Sequence, residues 1–240
     1  MIKRLRNFLK EVREDLKSVK YGQNQMWATK KLQSLFSGEH FIPQTSWSMS
    51  PQGIVHCLNI ISINKPKAII EFGSGSTTLY IAKLLQLEKH KISFFSIESD
   101  LEWKSEIERQ IQFYNLKDYV TIILAPIIES PEKINYRDQK KWYDTSVIET
   151  LIKKVNHFDL IIVDGPFGSS TPFARYSAFP FLQNQTSAES IWLLDDTERD
   201  QEREIIREWQ RKSGQHIIDY NRYTILKSNK KFDLAPYRMH

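Results

Sequence analysis

Two hydrophobic patterns alternate along most of this 240-residue chain. Short runs of consecutive apolar residues predict buried strands, and segments with apolar residues at every third or fourth position predict amphipathic helices. The predicted strands cover 68–72, 92–97, 119–124, 158–163, 191–194, 216–220 and 223–227. Helices separate the first five strands, whereas the last two form a strand pair. This alternation predicts a doubly wound, seven-stranded, mostly parallel α/β sheet.

The segment ahead of the first strand has helical spacing. Met1–Val19 places apolar residues on one face and basic residues on the other, and Gly22 is predicted to end this helix before a second one at Asn24–Phe36. We therefore predict an N-terminal helical extension at 1–48 and a main domain at 49–240. The apolar stripe favours packing on the domain or on a second copy in a homodimer, and weak contact with a membrane surface is the alternative.

Three segments outside the predicted strands are candidates for the border of a ligand site. Trp47, just before a helix that begins at Ser50-Pro51, is interpreted either as a cover over a ligand or as a core anchor. Glu129–Tyr143 is polar and is predicted to be an irregular loop beside the substrate. A helix over Phe173–Leu182 is predicted to carry Arg175, which suits an ion pair or an anionic substrate.

The composition is that of an ordinary globular protein and argues against several function classes. Hydrophobic residues make up 40% and charged residues 26%. No apolar run reaches membrane-spanning length and the N-terminus is charged throughout, so we expect a cytoplasmic protein. Basic and acidic residues are mixed, with a net charge of +5, which argues against a nucleic-acid partner. The single cysteine and six scattered histidines give no metal-ligand spacing.

A glycine-rich turn lies within Lys67–Leu85, where strand spacing changes to helix spacing. Gly73 and Gly75 let the backbone approach a ligand closely and aim helix N–H groups at it. Glu71 precedes the first glycine by two residues, and Thr78 stands where a dinucleotide-binding fold carries its third glycine. A carboxylate at this point repels a pyrophosphate and attracts a cation. The turn therefore favours a cationic ligand, and an ordinary turn with a surface glutamate is the alternative.

Two further acids follow strand ends. Glu98 comes 25 residues after Gly73, close to the interval of about 20 residues at which nucleotide-binding folds place the acid that binds ribose hydroxyls. Asp164 ends the most strand-like run, and Gly165 and Gly168 are expected to leave room for a small molecule beside it. Ligands of open α/β sheets bind beyond the carboxyl ends of the strands, so both acids are candidate ligand contacts.

Four segments, in order, resemble a known superfamily. EFGSGSTTLYIA, SIESDLEW, FDLIIVDGPFG and LLDDTER are similar to segments of class I S-adenosylmethionine-dependent methyltransferases, in particular a bacterial methyltransferase-like group, and the likeness covers about Ser46–Arg211. It implies the Rossmann-like methyltransferase fold, with an antiparallel strand at the end of the sheet, and S-adenosylmethionine as cofactor. The cofactor contacts that it implies are Glu71, Gly73, Ser74, Gly75, Thr77, Glu98, Ser99 and Asp164.

The acceptor side offers carboxylates at strand ends. A hydroxyl acceptor must lose its proton to a general base or to a metal that lowers its pKa. Asp164 and Asp195 are the candidate catalytic residues, and Asp164, Asp195 and Asp196 are candidate Mg²⁺ ligands. The metal-dependent O-methyltransferases carry Asp-Asn where this chain has Asp-Asp. The alternative is that Asp195 or Asp196 caps the following helix.

The sequence therefore predicts an S-adenosylmethionine-dependent methyltransferase, with O-methyl transfer to a small-molecule or saccharide hydroxyl. A protein that binds this cofactor, or acts as a scaffold, without methyl transfer is the second hypothesis. An NAD-dependent or nucleotide-sugar enzyme is the third, and both Glu71 and Thr78 argue against it.

Overall fold

The computed structural model describes residues 2–36, 41–153, 155–228 and 232–238. Met1 of the predicted first helix and residues 37–40 of the predicted extension lie outside the described residues. The α-helices are α1 (Ile2–Gln33), α2 (Pro51–Asn64), α3 (Ser76–Glu88), α4 (Leu101–Phe113), α5 (Thr145–Ile152), α6 (Ala178–Leu182) and α7 (Asp200–Ser213). The strands are β1 (Ala68–Phe72), β2 (Ser93–Glu98), β3 (Thr121–Leu124), β4 (Ile127–Glu129), β5 (Lys141–Tyr143), β6 (Leu160–Val163), β7 (Ile191–Leu194), β8 (His216–Asp219) and β9 (Thr224–Lys227).

Seven strands form one sheet in the order β3-β2-β1-β6-β7-β9-β8. The first five of these strands are parallel, whereas β9 runs antiparallel to both β7 and β8. The predicted doubly wound, mostly parallel sheet is confirmed. The chain builds the sheet outward in opposite directions from β1 and β6, so a crevice is expected where these two strands end.

The central strands are buried on both faces, which explains their continuous apolar runs. Ile69, Leu160 and Ile162 pack with α2, α3 and part of α4 on one face. Ile70 and Ile161 pack with α5, α6 and α7 on the other face. The sheet is therefore packed between two hydrophobic cores, one on each face, which fix the positions of the strand ends.

The N-terminal extension is one helix, and the prediction that Gly22 ends a first helix is wrong. A glycine inside a helix costs about 1 kcal/mol relative to alanine. Ala28 and Leu32 of α1 are buried in the core that α2 also enters, which offsets this cost. Because α1 shares that core, the domain boundary between residues 48 and 49 stays a prediction.

Two predictions outside the sheet are also wrong. Glu129–Tyr143 is not an irregular loop throughout, because β4 and β5 pair antiparallel and Trp142 is fully buried. Strands of three residues are too short for an alternating pattern to show. The predicted helix at Phe173–Leu182 is helical only in α6, because Phe173 has a positive φ of 53°. Arg175 lies in the turn before α6.

None of the helices in the described part of the chain combines the length and the apolarity that a membrane crossing requires.

Candidate active site

A cavity of about 340 Å³ opens at the carboxyl ends of β1, β2 and β6. Its wall consists of the glycine turn 73–77, residues 98–100 after β2, residues 164–167 after β6, and parts of the segment 43–49. This is the crevice that the order of the strands predicts. The glycine turn and two of the candidate acids, Glu98 and Asp164, therefore lie together in the wall of one cavity.

Thr78 ties the glycine turn to the end of β1. Its hydroxyl accepts a hydrogen bond from the Gly75 amide at 2.9 Å and donates one to Glu71 Oε2 at 2.5 Å. Ser96 of β2 donates a second hydrogen bond to the same oxygen at 2.6 Å. Thr78 is fully buried. The residue that replaces the third glycine of a dinucleotide fold thus anchors the turn through its side chain.

Glu71 lies just behind the cavity wall and is fully buried, so its interpretation as a surface residue is wrong. Its Oε1 atom has no hydrogen-bond partner among the described residues. Burial raises the pKa of Glu71 to about 7, although the hydrogen bonds from Ser96 and Thr78 oppose the rise. No basic side chain forms an ion pair with it in the described part of the chain. When ionised, Glu71 holds an uncompensated negative charge beneath the glycine turn.

Glu98 lines the cavity in a fixed orientation. Its Oε2 atom accepts a hydrogen bond from the Ser74 amide at 3.1 Å, and Oε1 accepts bonds from the amides of Ser99 and Asp100 at 2.6 and 2.9 Å. Burial raises the pKa of Glu98 and the amide hydrogen bonds oppose that rise. Carboxylate oxygens accept more than one hydrogen bond each, so Glu98 can also accept hydroxyl groups of a ligand.

The N-terminus of α3 faces the same cavity. Ser76 and Thr77 are its first residues and line the wall. A helix N-terminus attracts anions through its free N–H groups and its dipole. The Ser76 hydroxyl is buried and has no hydrogen-bond partner within the described ranges. Leaving such a group unpaired costs free energy that a bound anion recovers.

Gly73 and Gly165 bring the ends of β1 and β6 into contact. Gly73 has a φ of +95°, and a Cβ there would lie 2.9 Å from the Gly165 nitrogen. A Cβ on Gly165 would collide with the Tyr143 hydroxyl. Gly165 lines the cavity as predicted. Its contacts with Gly73 and Tyr143 already require a glycine at this position, whether or not a ligand binds. Gly168 is not part of the cavity wall, so the expectation that it leaves room for a ligand is wrong.

Asp164, Asp195 and Asp196 converge at the ends of β6 and β7. One carboxylate oxygen of each residue lies within 4.8 Å of the others. Asp164 lines the cavity with 15% of its side chain exposed, whereas Asp195 and Asp196 are buried. Burial raises the pKa of Asp164 to about 7 and raises the pKa of Asp195 well above its usual range. The structure therefore brings the three predicted metal ligands together, but only Asp164 reaches the cavity.

Arg175 occupies the centre of this aspartate cluster. Its Nη2 atom lies 2.9 Å from Asp196 Oδ2 and 3.4 Å from Asp164 Oδ1. Its Nη1 atom donates a hydrogen bond to the Asp195 carbonyl oxygen at 3.0 Å. The side chain is almost fully buried. Of the two predicted roles, the structure supports the ion pair.

Two more arginines complete the cluster from outside. Arg222 Nη2 lies 3.3 Å from Asp196 Oδ1 and 3.6 Å from Asp195 Oδ2, and Arg199 Nη1 lies 3.0 Å from Asp196 Oδ2. Neither aspartate is the N-cap of α7, because that position is occupied by Arg199. The two aspartates are therefore held by ion pairs and not by helix capping.

Both oxygens of Asp195 and the Oδ1 atom of Asp196 have no hydrogen-bond partner among the described residues, but the arginines around these donors argue against Mg²⁺. The ion binds anionic and neutral oxygens, yet each of the three aspartates already lies within 4 Å of a guanidinium group. Arg175, Arg199 and Arg222 bring three positive charges to the cluster. A divalent cation among these carboxylates would be repelled by the buried Arg175 at short range.

Trp47 and Phe167 form an exposed aromatic pair in the cavity wall. They are 68% and 54% exposed, and their ring centroids lie 5.1 Å apart in an edge-to-face arrangement. The interpretation of Trp47 as a core anchor is therefore wrong. Arg222 donates a hydrogen bond to the Ser48 carbonyl oxygen at 3.0 Å, which ties the Trp47 segment to the aspartate cluster.

The fold matches solved structures of methyltransferases at low sequence identity. An S-adenosylhomocysteine-bound methyltransferase from Podospora anserina has a TM-score of 0.56 and 15% identity, over 92% of this chain and 96% of that one. An O-methyltransferase from Bacillus cereus, in complex with S-adenosylhomocysteine, has a TM-score of 0.50 and 12% identity, over 85% and 89% of the two chains. The O-methyltransferase TomG from Streptomyces achromogenes, in complex with S-adenosylmethionine, has a TM-score of 0.50 and 10% identity, over 83% and 96%.

The chain has the class I methyltransferase fold. No protein-family model and no curated protein sequence matches it.

Within this methyltransferase fold, the predicted cofactor residues lie together. Those that line the cavity are Gly73, Ser74, Gly75, Thr77, Glu98, Ser99 and Asp164, and Glu71 lies behind them. Sequence reasoning missed Trp103, which lines the cavity and donates a hydrogen bond to the Ser74 carbonyl oxygen at 2.8 Å. Trp103 lies in the first turn of α4, three residues after the N-cap Asp100. This short distance from Glu98 along the sequence was the signal that could have placed Trp103 at the cavity.

Proposed function

We propose that this protein is an S-adenosylmethionine-dependent methyltransferase that acts on a hydroxyl group of a small molecule or saccharide. One observation carries the proposal. Glu71 and Glu98 have no cationic partner among the described residues, and they lie at a cavity that also presents the positive end of α3. Such a cavity suits a ligand with cationic groups, hydroxyl groups and a carboxylate.

The residues present fit the cofactor. We expect Glu98 to accept the ribose hydroxyls, with Ser99 beside it. The unpartnered Ser76 hydroxyl and the N–H groups of α3 near Thr77 are suited to its carboxylate. Glu71 favours its ammonium group through the field of a buried carboxylate. When bound, S-adenosylmethionine supplies a methyl group that is already activated on a sulfonium.

Asp164 is the proposed general base. It lines the cavity, and its Oδ1 atom faces Arg175, which leaves Oδ2 to accept the proton of an acceptor hydroxyl. A pKa of about 7 places this carboxylate near the optimum for proton transfer at neutral pH. Asp195 does not line the cavity, so we assign it a positioning role through the cluster and not contact with the acceptor.

The acceptor is proposed to be an uncharged ring compound. The Trp47–Phe167 pair provides apolar ring surface next to the strand end that carries Asp164. No lysine, arginine or histidine occurs in the described part of the cavity wall. The charged side chains of this wall are carboxylates, which disfavour a phosphate-bearing acceptor or nucleic acid. We also propose that methyl transfer proceeds without Mg²⁺, because guanidinium groups neutralise the aspartate cluster.

Calorimetric titration with S-adenosylmethionine and S-adenosylhomocysteine tests the cofactor assignment. We expect binding by the wild-type chain, and absence of binding at millimolar cofactor would refute the proposal. Asp164→Asn then tests the base: cofactor affinity should stay within about threefold while transfer of a labelled methyl group to a panel of sugars and phenols falls by about 100-fold or more. Glu102→Gln, an exposed carboxylate on α4, is the matched control and should change neither quantity.

The second candidate is cofactor binding without methyl transfer, favoured by the buried arrangement of Asp195 and Asp196 behind the wall. It predicts normal cofactor affinity and no labelled product with any acceptor. The same titration and transfer assay on the wild-type chain separate the two candidates.

A further inference from the structure

The N-terminal half of α1 exposes an apolar stripe that the rest of the described chain does not cover. Leu5, Leu9 and Leu16 are 57–58% exposed, Val12 is 37% exposed and Val19 is 56% exposed. Every residue from Lys3 to Lys20 is exposed. The stripe is regular and long, and the spacing of its residues indicates which kind of partner would cover it.

The stripe follows a heptad repeat. Its members occur at alternating intervals of four and three residues, in the order Leu5, Leu9, Val12, Leu16, Val19, Gln23 and Met26. Leucine therefore occupies two a positions and valine two d positions, and the repeat spans about 32 Å of helix at 1.5 Å per residue. A strict 3.5-residue repeat of this kind is the pattern of a helix that pairs with a helix of the same pitch.

The helix uses a different face to pack on its own domain. Asn24, Ala28 and Leu32 are buried against the domain, and in the same heptad register they occupy positions b, f and c. Met26, at a d position within this docked half, is 73% exposed. The expectation that the stripe packs on its own domain is therefore wrong, because that contact uses the opposite face.

Charges beside the stripe select a parallel partner. Arg6, Arg13 and Lys20 occupy the e positions, so an antiparallel pair would place basic side chains opposite one another. In a parallel pair a g residue faces the e residue five positions later on the other helix. Asp15 at g then faces Lys20 of the second copy, which is a favourable ion pair.

The same charges argue against a membrane surface. A helix that lies in a membrane interface has a wide apolar arc and a basic polar face. Between Lys3 and Lys20, Phe8 at a g position is the one exposed large apolar residue outside the stripe, and Glu11, Glu14 and Asp15 interrupt the basic residues of the remaining surface.

We infer that α1 forms a parallel coiled coil with copies of this same chain, along the stripe from Leu5 to Met26. The occupant is another copy because the repeat, the e charges and Asp15 are self-complementary. The interface is separate from the cavity, so it stands whether or not the protein transfers methyl groups.

Sedimentation equilibrium of the full chain tests this inference. We expect the wild-type chain to have a mass at least twice that of the 28.4 kDa monomer at micromolar concentration. Leu9→Glu with Leu16→Glu should give a monomer, because it places charges at two core positions. The matched control, Asn7→Glu with Ser18→Glu, changes exposed residues outside the stripe and should leave the mass unchanged. Circular dichroism confirms that each variant remains folded.

A cysteine at Leu5 tests the orientation. Cys57, the only cysteine of the chain, is fully buried and does not interfere. Leu5→Cys should form an interchain disulfide under mild oxidation, since parallel in-register helices place the two sulfurs at the same level. A monomeric wild type, a double variant that keeps its oligomeric mass, or flotation of the wild type with phosphatidylserine vesicles would each overturn the inference.

Discussion

Two sets of carboxylates lie at the same edge of the sheet and differ in one respect. Glu71 and Glu98 are held by hydroxyl and amide donors and have no cationic partner in the described chain. The aspartate cluster of Asp164, Asp195 and Asp196 is held by arginines. Hydrogen bonds orient a carboxylate without cancelling its charge, whereas an ion pair cancels it. The first set therefore retains attraction for a cationic ligand, and the second set is largely neutralised within the protein.

Loss of the central arginine should produce the largest effect. Arg175→Met leaves Asp164 and Asp196 without their buried cation, and removal of one partner of a buried pair costs about 3–5 kcal/mol. Urea denaturation measures the loss. Arg199→Met is the control: its side chain is 46% exposed, so we expect a cost below about 1 kcal/mol. Equal losses in the two variants would contradict the contrast drawn between the carboxylate sets.

Removal of the charge beneath the glycine turn should weaken cofactor binding without weakening the fold. Glu71→Gln keeps an oxygen that accepts hydrogen bonds from Thr78 and Ser96 but loses the negative charge. We expect the dissociation constant for S-adenosylmethionine to rise about tenfold, which corresponds to about 1.4 kcal/mol. Calorimetry measures the affinity and thermal denaturation the stability. A variant that binds like wild type would show that this charge does not act on the ligand.

The same glutamate should make stability and binding respond oppositely to pH. Its pKa is raised from 4.5 to about 7 on folding, so between these values the folded state keeps a proton that the unfolded state has lost. The free energy of unfolding should therefore fall, relative to that of Glu71→Gln, as pH rises from about 4.5 to about 7. Cofactor affinity should rise between pH 5.5 and 7 as Glu71 ionises. Urea titrations and calorimetry at each pH test both trends, and parallel trends would exclude this assignment.

Removal of divalent metal should produce the smallest effect. Because Arg175 and Arg222 already neutralise the aspartates, the initial rate of methyl transfer in EDTA should lie within about twofold of the rate with Mg²⁺. A tenfold loss in EDTA that Mg²⁺ restores would show that a metal displaces an arginine from the cluster.

Most of the fold could be predicted because its central strands are buried on both faces. The run Leu160–Val163 is continuously apolar, which is typical of a strand buried on both faces. The hairpin β4–β5 could not be predicted in this way, since each of its strands has three residues. Gly22 is a local signal for a helix end, but tertiary contacts of Ala28 and Leu32 farther along α1 decide that the helix continues.

The sequence was enough to predict the acidic residues of the candidate site, but not the arginines that pair with the aspartates. Glu71, Glu98 and Asp164 follow strands directly, so the topology alone places them at one edge. Arg175 and Arg222 come from turns that the chain path brings to the aspartates, and no local pattern marks such a meeting. The sequence therefore predicted that the three aspartates meet, which the structure confirms, but it did not predict the arginines beside them.

The hydroxyl of Thr78 has a consequence for how the ligand preference of this cavity can be changed. Exchange of Thr78 for glycine, as a dinucleotide would require, removes a donor to Glu71 and the acceptor of the Gly75 amide in one step. Glu71 would then keep only the hydrogen bond from Ser96, and the Gly75 amide would lose its side-chain acceptor. The negative charge of Glu71 would still repel a pyrophosphate, so a change of ligand class at this turn requires replacement of both the threonine and the glutamate.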